Sequence, residues 1–341
     1  MIQGAISKLV QKQDLTQKET GQVMSEIMEG KATDAQIAGF LVALRFKGET
    51  IDEITACAKI MRQKSQIINP KVKFLVDTCG TGGDNFDTFN ISTAAAFVAS
   101  GAGAAVAKHG NKSVSSKCGS ADVLKELGIN IELSPKKVER CIEEIGLGFM
   151  FAPIFHPAMR FALNARKEIG VRTIFNILGP LTNPANAKSQ LIGVFGNGIL
   201  ENIAKVLKNL GSKHIITVNG SGLDEITICG KTKVCELKNG NIDFYEINPE
   251  DFGFKLSHIN GITGGSPEEN SKIIIDILNG VKGPKRDIVL LNAAAALLTT
   301  DKVKNYKDAL ELAAYSIASG KALKKLKGLI DFTNKNAKQN N

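Results

Sequence analysis

From residue 72 onward, short aliphatic or β-branched runs alternate with stretches of helical spacing. This alternation restricts the possible folds more than any other feature of the chain. Strand-length runs fall at 74–76, 104–107, 149–152, 191–195 and 215–219. Helical apolar spacing falls at 91–100, 121–127, 200–210, 271–279 and 288–298. Strands separated by helices pair in parallel, because a parallel connection needs a crossover long enough to hold a helix. Those helices then cover the faces of the sheet. Residues 234–237 and 244–247 break the pattern, since Asn239-Gly240 between them predicts a hairpin. The expectation is a mainly parallel α/β sheet flanked by helices.

The segment before it reads as helices alone. Thr16, Thr33 and Thr50 stand three positions ahead of Glu19, Gln36 and Glu53. In each pair the hydroxyl can accept from a free N–H of the first helical turn, while the longer side chain reaches back to the cap. Asn69-Pro70 ends this region. We therefore expect a small helical domain over 1–70 and a large α/β domain over 71–341. The polar tail after Asn334 reads as frayed.

With 341 residues, of which 43% are hydrophobic, the chain can close a core without a disulfide or a structural metal. Its 6 cysteines are scattered, with no CxxC pair and no zinc spacing, which suits reduced thiols in a cytoplasmic protein. Residues 1–15 lack an apolar secretory core, and no apolar stretch has membrane-spanning length. The net charge of +9 admits nucleic acid, an anionic membrane or a polyanionic small molecule as partner. Its densest run, Lys321, Lys324, Lys325 and Lys327, reads as a solvated helix face.

Four segments carry chemistry. In Asp77-Thr-Cys-Gly-Thr-Gly-Gly-Asp84, three glycines let backbone amides approach a ligand, and Ser92 and Thr93 follow at a helix N-terminus that favours an anion. The segment is a phosphate cradle or an ordinary tight turn. It is neither a P-loop nor a dinucleotide fingerprint. The segment from Lys108 to Ser120 holds three lysines, four serines and Asn111, and reads as a polyanion-binding loop or a solvated one. Two such loops at successive strand ends favour ligand binding. Asp224 and Glu225 form an adjacent acidic pair suited to Mg²⁺, or an acidic turn. The fourth segment runs from Phe151 past His156 to Arg166 and Arg172. Arg166 could grip a carboxylate or form a surface ion pair. His109 and His156 are candidate pocket residues. His214 and His258 lack polar neighbours in the sequence and read as structural.

The runs DTCGTGGDNFDTFNIST, KHGNKSVSSKCGSAD, FAPIFHPAMR, RTIFNILGPLTNP and GLDEIT stand in the order found in the anthranilate phosphoribosyltransferases. The chain resembles that family over almost its whole length. The resemblance implies magnesium-dependent transfer of a phosphoribosyl group from phosphoribosyl diphosphate to anthranilate, in tryptophan biosynthesis. It implies that Gly80, Gly83, Asp84, Thr88, Asn90, Ile91, Ser92 and Thr93 contact the donor. So would Lys108, His109, Gly110, Asn111, Lys112, Ser113, Val114, Ser115, Ser116 and Ser120. By the same resemblance Asp224, Glu225 and Ser92 hold the metal, with two Mg²⁺ per subunit. Gly80, His109, Asn111, His156 and Arg166 face anthranilate, and Lys108 and Arg166 act in catalysis. A homodimer is implied, with the small domain completed by helices around 165–185 and the site in the cleft between domains. One departure stands out: many members carry Pro-Val-Arg where this chain has Asn164-Ala165-Arg166.

Two other readings compete. A pyrimidine nucleoside phosphorylase shares the fold, but the GLDEIT and KHGN segments resemble the anthranilate enzymes more closely. A nucleic-acid-binding relative without catalysis is permitted by the charge. It has no need of the acidic pair or the intact glycine loop.

Overall fold

The protein is described by a computed structural model covering residues 1–84, 86–113 and 117–337. Four helices come first: α1 (Ile2–Val10), α2 (Gln17–Met28), α3 (Asp34–Lys47) and α4 (Ile51–Gln63). All three expected capping boxes form. Thr16 Oγ1, for instance, accepts from the Glu19 N–H at 3.2 Å, while the Thr16 N–H donates to the Glu19 carboxylate at 2.9 Å. Each box satisfies amides that would otherwise be free, so three short helices start where the sequence places them.

The remainder alternates as expected. In order come β1 (Leu75–Gly80), α5 (Ile91–Gly101), β2 (Ala105–Gly110), α6 (Ser120–Glu126), α7 (Pro135–Ile145) and β3 (Leu147–Phe151). Then follow α8 (Ala152–Phe155), α9 (Leu163–Ile169), α10 (Phe175–Leu181), β4 (Ser189–Gly193), α11 (Leu200–Asn209) and β5 (His214–Asn219). The hairpin is β6 (Thr232–Lys238) and β7 (Asn241–Ile247), and α12 (Pro267–Leu278), α13 (Pro284–Thr299), α14 (Tyr306–Ala318) and α15 (Lys321–Ala337) complete the chain. The hairpin turns on Asn239 at φ 51° and Gly240 at φ 85°, the pair of positive dihedrals a two-residue turn demands.

The sheet has 7 strands in the order β3-β2-β1-β4-β5-β6-β7. Its first five strands are parallel, and β6 and β7 are antiparallel. After β1 the chain builds β2 and β3 on one side, then crosses to place β4 and β5 on the other. Strand order therefore reverses between β1 and β4. Loops leaving the carboxyl ends there diverge and open a crevice.

Two apolar clusters lie on either side of the sheet. One is built on α5 and α13, and its alanines (Ala94, Ala95, Ala96, Ala293, Ala294, Ala295) allow those helices to approach closely. The other joins α1–α4 to Ala162, Ala165 and α10, then continues through α11 to Ile192 of β4 and Ile215 of β5. The helical region is thus seated on the sheet through a continuous apolar core.

Some expectations need correction. His214 has polar company: Nδ1 lies 3.0 Å from Asp301 and Nε2 lies 2.7 Å from Glu236. It opens β5, at the end of the sheet away from the crevice, so its role is structural through these two side-chain contacts. His258 caps a short turn by accepting from the Asn260 N–H at 3.3 Å. In the lysine run Lys321, Lys324 and Lys327 are exposed, but Lys325 turns inward and donates to the Ile145 carbonyl. Helix α15 continues past Asn334 to Ala337, and the rest of the expected tail lies outside the described residues. No helix among the described residues is long and apolar enough to cross a membrane.

Candidate active site

The glycine loop leaves β1 at the reversal point. Gly82 and Gly83 take φ of 71° and 79°, a left-handed conformation costly to other residues. A Cβ on Gly80 would run into the Asp224 carboxylate. The Gly82 N–H donates to Asp224 Oδ2 at 2.7 Å, and the Asp224 N–H donates to Asp84 Oδ2 at 3.3 Å. Thr88 bridges to Thr263, and Asn90 precedes α5. Helix α5 opens with Ile91, Ser92 and Thr93, so the positive end of its dipole faces the crevice. The Ser92 N–H donates to Glu225 Oε1 at 3.0 Å. The Thr93 hydroxyl is buried without a partner among the described residues.

Lys108 and His109 come from β2, one strand over. Lys108 is buried, and its ammonium donates to the Thr78 carbonyl and, at 3.2 Å, to Ser92 Oγ. Burial holds its pKa below the usual lysine range, opposed chiefly by the buried Asp77 carboxylate. Past Gly110 the second loop is shaped by Asp122, whose Oδ2 accepts from the Ser113 and Gly119 N–H groups, each at 2.9 Å. The Asn111 carbonyl accepts from the Ala121 N–H at 3.1 Å and from Ser120 Oγ at 3.4 Å. Asn111 and Lys112 are exposed. Asn90 ties the two loops, donating Nδ2 to the Cys118 carbonyl at 3.0 Å. Val114, Ser115 and Ser116 lie outside the described residues.

Asp224 and Glu225 follow β5 and complete the crevice. Burial and then the neighbouring Asp84 push Asp224 up to about 7. Burial and then Asp224 push Glu225 well above the carboxylate range. Three carboxylates crowded beside a serine offer only oxygen donors, which suits a hard divalent cation such as Mg²⁺. Among the described residues no three His, Cys, Asp or Glu side chains enclose a metal by themselves.

The acceptor candidates lie along α10. The His109 and His156 rings are 4.9 Å apart, and both Nε2 atoms are buried without a partner among the described residues. Burial, with the neighbouring His156 second, pulls His109 down to about 3, and burial pulls His156 down to about 4, so both rings are neutral at pH 7. The Gly179 and Thr182 carbonyls face these rings. Arg166 on α9 stacks its guanidinium 5.0 Å over Phe175, at the start of α10. The helix forms with Asn164 and Ala165 in place, and Ala165 is buried. Arg166 is half-buried, burial lowers its pKa, and among the described residues no carboxylate pairs with it. No hydrogen bond among the described residues joins it to the glycine loop.

One contributor, Gln190, escapes the sequence reading, and Arg172 is named there without a role. Gln190 on β4 is buried and donates Nε2 to the Pro180 carbonyl at 2.9 Å and to Asp77 at 3.5 Å. Arg172 donates to the Gly83 carbonyl. Gln190 carries no local motif, whereas Arg172 opens the RTIFNILGPLTNP run.

Comparison with known proteins bears on the family and the fold. Residues 72–323 match the family described as "Glycosyl transferase family, a/b domain", and residues 3–65 match its helical bundle domain. A protein of Acetivibrio thermocellus named anthranilate phosphoribosyltransferase is 55% identical over 98% of this chain and 97% of its own length. The crystal structure of anthranilate phosphoribosyltransferase from Thermus thermophilus superposes with a TM-score of 0.92 at 41% identity, covering 97% of this chain and 99% of that one. The Saccharomyces cerevisiae enzyme of the same name, solved in complex with PRPP and Mg, superposes with a TM-score of 0.89 at 28% identity, covering 98% of each chain.

Proposed function

The chain belongs to the anthranilate phosphoribosyltransferases, and on that premise we propose the reaction it performs. It transfers the phosphoribosyl group of 5-phosphoribosyl 1-diphosphate to the amino nitrogen of anthranilate, giving N-(5-phosphoribosyl)anthranilate and diphosphate. This is the second step of tryptophan biosynthesis from chorismate. One observation carries the reading: the glycine loop and the acidic pair meet at the strand-order reversal, tied by the Gly82–Asp224 and Ser92–Glu225 hydrogen bonds, and Asn90 ties the second polar loop to them.

In this reading the amides of the glycine loop and of the first turn of α5 hold phosphate oxygens. Bond breaking at ribose C1 leaves a highly charged diphosphate. Two opposite unit charges ~4 Å apart gain roughly 4 kcal/mol at an effective dielectric near 20. Lys108 alone offsets only part of that charge. Magnesium, two ions per subunit, would be held through Asp224, Glu225 and Ser92 and would neutralise the rest. Arg166 grips the anthranilate carboxylate, and Asn111, His109 and His156 line the acceptor pocket. The nucleophile arrives with the substrate, so the chain's remaining task is to aim the amine. In this reading the helical domain is completed by α9 and α10, so Arg166 reaches the acceptor from the helical side while His109 and Asn111 reach it from β2 and its exit in the α/β domain. The protein acts in the cytoplasm.

Replacing Arg166 with Ala should raise the KM for anthranilate by roughly 10- to 100-fold, the worth of a charge-assisted hydrogen bond, and change the donor KM little. An unchanged anthranilate KM in steady-state assays removes Arg166 from the pocket.

We also propose that the active form is a homodimer. Val10 of α1, Val42 and Phe46 of α3 and Leu163 of α9 are exposed on three helices that pack against one another, with Phe46 72% exposed. Phe46→Glu is expected to shift the protein from dimer to monomer in sedimentation, and an unchanged mass would place the interface elsewhere.

Product identity tests the reaction itself. Mass spectrometry should find N-(5-phosphoribosyl)anthranilate only when both substrates are present. Release of a free base from a pyrimidine nucleoside and phosphate would move the chain to the phosphorylases.

A further inference from the structure

Three consecutive residues of the glycine loop are held by three different elements. The Thr81 N–H donates to the Gly193 carbonyl at 2.9 Å, and Thr81 Oγ1 accepts from the Phe195 N–H at 3.1 Å, so β4 and its exit hold Thr81. Asp224 holds Gly82. Arg172 holds Gly83, through its guanidinium and the Gly83 carbonyl. The same guanidinium lies 4.5 Å over the Phe195 ring. Arg172, Phe195, Thr81 and Gly83 therefore close a ring of contacts around one side of the loop. A Cβ on Gly83 would displace the Arg172 guanidinium, and the positive φ of Gly83 favours glycine on its own account.

The position of Arg172 gives this ring a second connection. It lies in the connector between α9, which carries Arg166, and α10, along which the histidine pair is arranged. A cleft of about 470 Å³, counted to its open mouth, lies against the ring and is walled partly by Glu49, Arg172, Asn176 and Phe195. The guanidinium thus has space to leave Gly83 without opening the apolar core.

We propose that Arg172 is a positioning residue that sets the phosphate loop through Gly83 and Phe195, and so couples donor binding to the segment that carries the acceptor site. This rests on the reaction proposed above. Arg172 acts through the loop backbone and touches neither substrate.

The experiment uses the full chain and its Arg172→Ala, Arg172→Lys, Phe195→Ala and double Arg172→Ala/Phe195→Ala variants. Calorimetry reads binding of phosphoribosyl diphosphate with Mg²⁺, kinetics read both KM values, and melting curves confirm folding. Arg172→Ala and Phe195→Ala should each weaken donor binding by roughly 10-fold, the scale of a typical coupling between sites. Each should also raise the anthranilate KM measured at saturating donor, because coupling between two sites is reciprocal. The double variant should be no worse than the single ones, because both act through one ring. Arg172→Lys should recover part of the loss. Phe195→Leu takes the place of Phe195→Ala should the latter unfold. Phe195 has no polar side-chain atom to offer a diphosphate. Weakened donor binding in Arg172→Ala with none in the Phe195 variant would make Arg172 a direct charge contact and overturn the proposal. Parental binding in both variants would overturn it too. Failure of the parent protein to bind the donor or turn over would instead remove the reaction on which it rests.

Discussion

Changing Asp224 to Asn and Glu225 to Gln together is expected to cut Mg²⁺-supported turnover by on the order of 1000-fold, the scale of a lost metal contribution of several kcal/mol. It should also make the metal-free protein more stable, an effect a merely structural role would not give. The raised pKa values of the pair identify it as a site where negative charge is unfavourable in the folded chain. Asp224 sits near pH 7 when folded, against 3.8 for an unhindered aspartate. The folded chain therefore keeps a proton that the unfolded chain releases. In EDTA, the contribution of this pair to stability should be greatest below about pH 4 and fall as the pH rises through about 7. Saturating Mg²⁺ should flatten this dependence, since a bound cation favours the ionised pair. The double variant should lose both the slope and the response to metal. Melting curves over that range with and without Mg²⁺ provide the check. A variant that retains the Mg²⁺ response would place the metal elsewhere.

Lys108→Met should lower kcat/KM by on the order of 100- to 1000-fold, as expected for removing one preorganised charge from the transition state. It should also lower the melting temperature, because Asp77 is left buried without its main compensating charge. The two effects can be separated. Adding Asp77→Asn removes the orphaned carboxylate, so the double variant should regain thermal stability while activity stays low. Recovery of activity along with stability would reduce Lys108 to a structural counter-ion.

The sequence exposes what is encoded locally. The capping boxes, the Asn239-Gly240 turn and the glycine loop each place their signal within a few residues of the structure it produces. It exposes less where polar residues occupy a strand. The run at 74–76 marks only the start of β1, which continues through Asp77, Thr78 and Cys79 to Gly80 because each pairs with β4. Those polar residues look like loop in the sequence and are the floor of the site in the fold. Contacts made across long separations leave no local trace. Asp84 meets Asp224 from 140 positions away, and Arg172 meets Gly83 from 89. His214 finds its carboxylates 22 and 87 positions away, so it reads as unaccompanied until the sheet brings them together.

The most direct test of the central claim is the fluorescence of anthranilate mixed with the protein, phosphoribosyl diphosphate and Mg²⁺. The account predicts a time-dependent loss that stops on adding EDTA and resumes with excess Mg²⁺. Well-folded protein that leaves the fluorescence unchanged, or that consumes anthranilate at the same rate in EDTA, would contradict it.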